Sequence, residues 1–144
     1  MNENEKLYDM ALKAKDFAYA PYSKFKVGAA VLTSDGMVFL GNNIENASYG
    51  ATICAERVAI FKAVSEAKTN IIKIAIASDT EEFTYPCGIC RQVINEFMPE
   101  GEIILGSKNE VKVYKVSELL PHGFELKKDW LKLKARWFYD LGPA

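Results

Sequence analysis

Cys54-Ala55-Glu56 and the turn Pro86-Cys87-Gly88-Ile89-Cys90 together hold every cysteine of the chain. Three thiols so far apart in sequence meet at one point only if both segments open helices lying side by side at one edge of a sheet, and the apolar runs around them read that way. Thiolates bind zinc at about 2.3 Å, and a catalytic site uses three protein ligands and leaves a fourth position for water. A Cys-x-x-Cys pair at a helix start reaches one ion from the first turn, and the positive ends of two helix dipoles favour thiolate over thiol. A zinc site is therefore expected at Cys54, Cys87 and Cys90.

A dication with three thiolates sums to one negative charge, so a cation beside the sulfurs is expected. Arg57 follows Glu56 and Arg91 follows Cys90; either guanidinium is placed to donate to a ligating sulfur, and Arg57 is the favoured partner. Glu56 lies too close to Cys54 along the helix to be an obvious fourth ligand. It is well placed to reach a water on the metal and to carry its protons. The rival reading is a structural zinc, whose fourth ligand would have to be His122, the single histidine. The position of His122 in a turn after Pro121 favours a surface or packing role. The bland role for Glu56 is to complement its helix dipole.

Outward from these segments, Leu7, Met10, Ala11, Ala14, Phe17 and Ala18 recur at helical spacing, and Pro21 is expected to end that helix. Phe25 to Leu32 reads as a strand, Asp35-Gly36 as a two-residue hairpin signal, and Met37 to Asn42 as the returning strand. Asn43 to Gly50 is a polar loop. A buried helix is expected from Thr52, with Cys54 in its first turn. Ile71 to Ser78 has the length and β-branched content of a central strand. A helix from about Gly88 to Met98 and short strands at Ile103 to Leu105 and Val111 to Tyr114 complete the order α-β-β-α-β-α-β-β. This order predicts a three-layer α/β/α sandwich around a five-stranded mixed sheet, in one domain spanning residues 1–144.

The 144 residues suffice for one buried core, and 49% hydrophobic with 26% charged residues is ordinary for a globular chain. No apolar run approaches the roughly 18 residues of a membrane span. The start is polar and acidic without the pattern of a signal peptide, which makes the cytoplasm the expected location. A formal net charge of -1 supplies no broad attraction for nucleic acid. An odd number of cysteines, all inside the motif pair, does not suit a disulfide framework.

With Phe25-Lys26-Val27-Gly28-Ala29-Ala30, Asn43-Ile44-Glu45-Asn46-Ala47-Ser48-Tyr49-Gly50, Cys54-Ala55-Glu56-Arg57 and Pro86-Cys87-Gly88-Ile89-Cys90-Arg91-Gln92, the chain resembles the small cytidine deaminases with three cysteine ligands. The likeness extends through Leu119-Leu120-Pro121-His122-Gly123-Phe124. It implies one zinc per subunit, with Glu56 as proton shuttle, and hydrolytic deamination of cytidine and 2'-deoxycytidine in pyrimidine salvage. It further implies that Asn43 and Glu45 hold ribose hydroxyls, that Phe25 packs on the base, and that Ala55 and Glu56 read the pyrimidine edge. The compact relatives are homotetramers, which implies that Ala47, Tyr49 and Phe124 act in an adjacent subunit's pocket.

The chain departs from the compact pattern beyond Phe124. Residues 127–144 carry Trp130, Trp137, Phe138 and Tyr139 among basic residues, a composition suited to an amphipathic helix packed on this subunit or a neighbour. Three other functions compete with cytidine deamination: attack on a nucleoside analogue such as blasticidin S, editing of a polynucleotide, which would want a basic groove, and non-catalytic nucleoside or protein binding by a zinc-stabilised oligomer.

Overall fold

Alternate residues of the central strands face opposite sides of one sheet, and this period of two builds the core. The computed structural model describes residues 1–126; the 127–144 segment, with its expected amphipathic helix, lies outside them. Strands β1 (Val27–Thr33), β2 (Val38–Asn42), β3 (Ile71–Ser78), β4 (Glu102–Gly106) and β5 (Val111–Lys115) lie in the order β2-β1-β3-β4-β5. β3 and β4 pair in parallel, and the other neighbours pair antiparallel. Helix α3 (Gly88–Phe97) makes the crossover that a parallel pair requires.

Ala29, Val31, Ile74, Ile76, Ile103 and Leu105 face α3 and α2 (Ala55–Ser65), where they meet Ala59, Ile60, Ala63 and Ile94. The intervening Ala30, Ala75, Ala77 and Ile104 face α1 (Glu3–Ala14) through Leu7 and Ala11. The three-layer sandwich and its mixed five-stranded sheet are those the element order predicts.

Several boundaries differ from the expected ones, each because a side chain or a close contact replaces regular backbone pairing. α1 starts early because Asn2 and Glu5 form a reciprocal cap: Glu5 N–H donates to Asn2 Oδ1 at 2.9 Å and Asn2 N–H to Glu5 Oε2 at 3.1 Å. It ends at Ala14 rather than at Pro21, tightening into a 3₁₀ turn over Lys15–Phe17. The tighter winding takes Phe17 off the apolar stripe and leaves it 82% exposed. β1 begins at Val27 rather than Phe25, because Phe25 N–H donates to Ser23 Oγ and Lys26 N–H to Asp79 Oδ2.

The hairpin loop has three residues between Thr33 and Met37, with Gly36 at φ 87. α2 begins at Ala55 rather than Thr52, so Cys54 is its N-cap and not part of its first turn. The residues before it are used otherwise: Ile53 bridges antiparallel to Ile44, and Tyr49–Ala51 form a 3₁₀ turn. α2 is buried on its sheet side, yet Phe61 is 40% exposed. A last short helix, α4 (Val116–Leu119), was not foreseen.

One glycine sets the distance between sheet and site. A Cβ on Gly41 of β2 would lie 2.4 Å from Ala55 O and 2.5 Å from Ala59 N, in the opening turns of α2. Backbone cannot yield as a flexible side chain does, so Gly41→Ala is expected to destabilise the fold by about 3 kcal/mol. Thermal denaturation checks this, and an unchanged melting temperature would contradict the packing described.

Candidate zinc centre and active site

The three sulfurs meet where α2 and α3 begin. Cys54 is the N-cap of α2, Cys87 is the N-cap of α3, and Cys90 lies in the first turn of α3. Neither N-cap sulfur bonds its own helix backbone, so both remain available to a ligand. All three Sγ atoms lie within 4.8 Å of one another, and among the described residues they form the one such group of three metal-ligating side chains. Cys54 Sγ and Cys87 Sγ are 3.8 Å apart. Tetrahedral zinc with bonds of about 2.3 Å separates its sulfurs by about 3.8 Å, so this spacing fits zinc; a disulfide needs about 2.05 Å. His122 is not in the group and adopts φ 55 in its turn.

The sulfurs differ in their electrostatic surroundings. Cys54 is pulled down to about 5, first by its hydrogen bond with Cys90 and then by Arg57. Cys90 is pushed upward, first by its contact with Cys54, then by burial and the neighbouring Glu56 charge. Arg57 Nη2 donates to Cys54 Sγ at 3.4 Å, the contact expected of it. Arg91 is committed elsewhere: its Nε donates to Pro86 O and its Nη1 to Leu119 O, both at 2.7 Å.

Glu56 occupies the first turn of α2 and is 4% exposed. Its Oε2 lies 3.7 Å from Cys90 Sγ, with the thiol donating. Burial, reinforced by the charge of Cys54, raises its carboxyl to about 7. A buried carboxyl beside three thiols is costly for folding, and a value near neutrality suits a group that both takes and returns a proton. Ala55, next to it, is fully buried.

A second cluster stands beside the sulfurs because Ile44 and Ile53 exchange backbone hydrogen bonds at 3.0 Å, bringing the 43–45 loop alongside Cys54. Asn43 Oδ1 accepts from Val27 N–H and its Nδ2 donates to Phe25 O, both at 2.8 Å. Glu45 Oε1 accepts from the N–H groups of Tyr22 and Ser23 at 2.9 and 3.1 Å, and Oε2 accepts from the Ser23 hydroxyl. These bonds, that of the Ser23 hydroxyl first, hold the Glu45 carboxyl below its usual range. Asn43 and Glu45 thus fix loop backbone while each keeps hydrogen-bonding capacity for a ligand.

Phe25 is 38% exposed between them. Ala47 is exposed, and Tyr49, 76% exposed, meets Tyr22 edge-on with ring centroids 6.0 Å apart. Phe124 is 67% exposed, and its backbone is bonded to Gln92 of α3. Sequence reasoning overlooked Ser23 and gave Gln92 no task. A serine in a polar turn carries no local signal that a carboxylate distant in sequence will accept from it.

Residues 1–106 match the family described as the cytidine and deoxycytidylate deaminase zinc-binding region. The chain is 48% identical to a cytidine deaminase of Halalkalibacterium halodurans over 85% of its length and 94% of the relative's. It is 47% identical to one of Sporosarcina psychrophila, over 83% and 90% respectively. Among solved structures, cytidine deaminase from Burkholderia pseudomallei superposes with a TM-score of 0.80 at 44% identity, covering 86% of this chain and all of that one. The Mycobacterium tuberculosis enzyme gives 0.75 at 34% identity, with 88% of this chain covered.

Proposed function

This chain belongs to the cytidine and deoxycytidylate deaminase family, and we propose that it hydrolyses cytidine and 2'-deoxycytidine to uridine and 2'-deoxyuridine, releasing ammonia, in cytoplasmic pyrimidine salvage. The observation that carries this reading is a buried glutamate, Glu56, beside three sulfurs spaced for zinc at two helix starts. Cys54, Cys87 and Cys90 would hold the ion, one per subunit. When bound, zinc supplies a Lewis acid that makes water nucleophilic at neutral pH.

The chain's own residues do the rest. Glu56 takes a proton from the attacking water and passes it to N3 of the cytosine ring as oxygen bonds to C4; it then takes the remaining proton from the new C4 hydroxyl, which becomes the carbonyl, and delivers it to the exocyclic amine. The C4–N4 bond breaks and ammonia leaves. Arg57 withdraws charge from Cys54 and so keeps the thiolate-rich site from holding its water too basic. Asn43 and Glu45 take the ribose hydroxyls with the capacity their backbone bonds leave, Phe25 packs on the base, and buried Ala55 with Glu56 reads the pyrimidine edge. Exposed Ala47, Tyr49 and Phe124 are assigned to the pocket of an adjacent subunit in a homotetramer. Among the described residues no helix is long and apolar enough to cross a membrane.

The test is ammonia release and the ultraviolet change when zinc-loaded protein meets cytidine or cytidine monophosphate. Conversion of the nucleoside alone is expected. No conversion of either, with about one zinc per chain, would overturn the assignment and point to a nucleoside analogue or to a binding protein.

A further inference from the structure

Helix α3 holds more than two of the three sulfurs. Within the five residues after Cys90 it also holds the end of α4 and the loop that follows it. Arg91 Nη1 binds Leu119 O at 2.7 Å. Gln92 Nε2 donates to Phe124 O at 2.8 Å while its Oε1 accepts from Phe124 N–H at 3.2 Å. Gly123 lies against Asn95, where a Cβ would fall 2.8 Å from Nδ2. The loop approaches this surface through His122 at φ 55, a left-handed conformation that a non-glycine residue adopts at a cost.

The reciprocal amide pair fixes both backbone polar groups of Phe124, yet the ring itself is 67% exposed. A core aromatic is held by what its ring packs on; here the backbone is clamped and the ring is presented. Pinning the backbone removes conformational freedom that a ligand would otherwise have to remove on binding. The clamp rises from helix α3, so the ring, assigned to an adjacent subunit's pocket, is presented from a regular element of the fold.

We infer that Gln92 is a positioning residue for substrate binding: it acts through Phe124, setting that ring where it contacts the nucleoside, and has no part in holding the metal. This rests on the deaminase reading and on Phe124 facing a nucleoside pocket. The Gln92 amide is suited to the task because it offers one donor and one acceptor to the two backbone groups of a single residue.

A double-mutant cycle on the full chain tests this. Gln92→Met keeps the side chain's length and removes both hydrogen bonds. It should raise KM for cytidine by about tenfold, the loss expected for one to two hydrogen bonds, with kcat and zinc content kept. In a Phe124→Ala background the same change should move KM less than about twofold, because coupled residues do not add. An unchanged KM in Gln92→Met, an equal rise in both backgrounds, or a loss of zinc would each overturn the inference. Wild-type protein that does not convert cytidine would instead overturn the functional reading, so the two failures are distinguishable.

Discussion

Replacing Glu56 with Gln is expected to lower kcat for cytidine by about 10³-fold or more, some 4 kcal/mol of barrier. Zinc content and fold should be kept. The side chain is 4% exposed and lies against Cys90, so a shape-preserving amide leaves the packing intact while removing the group that moves the proton. Burial that raises the carboxyl to about 7 works against folding at neutral pH, because the charged form is disfavoured inside and not outside. Glu56→Gln should therefore melt at the same temperature as the parent or slightly higher. Turnover within tenfold of the parent, measured with zinc quantified in the same sample, would remove Glu56 from the reaction.

The second large effect concerns the metal. Cys87 is exposed whereas Cys90 is fully buried, so Cys87→Ala removes a sulfur with little packing loss and isolates ligation. Losing a partner that only orients a ligand costs about 10- to 100-fold in metal affinity, and losing a ligand should exceed this. Cys87→Ala is expected to purify with little zinc and to turn over cytidine at less than about 1% of the parental rate. Chelation of the parent should abolish turnover and lower the melting temperature, since an ion at about 1,000 times its Kd stabilises the folded state by about 4 kcal/mol; added zinc should restore both. His122→Ala should keep its zinc. Full zinc in Cys87→Ala, or its loss from His122→Ala, would mean that the ligand set is misassigned.

How far the sequence carried depends on the range of each interaction. β3 was bounded at Ile71 and Ser78 from its β-branched run alone, because a central strand's neighbours demand apolar residues on both faces. Cys54, Cys87 and Cys90 could be expected to converge because their spacing and helix-start context are local properties. The misplaced starts of β1 and α2 share one cause. Asp79 takes over Lys26 N–H and Ile44 takes over Ile53, from positions well outside the strand and helix windows they displace, while the Ser23 hydroxyl two residues away takes Phe25 N–H.

The sequence by itself determined the donor types, thiolate and carboxylate, their places at two helix starts, and the alternation that sorts a core onto two faces of a sheet. These follow from side-chain chemistry and from the periods of helix and strand, which are written into neighbouring residues. Only the tertiary structure decided between Arg57 and Arg91 at the sulfurs, gave Asn43 and Glu45 their backbone bonds, and joined Gln92 to Phe124. A hydrogen bond forms only within a few tenths of an ångström of its proper length, and such distances between remote residues are set by the packing of whole elements.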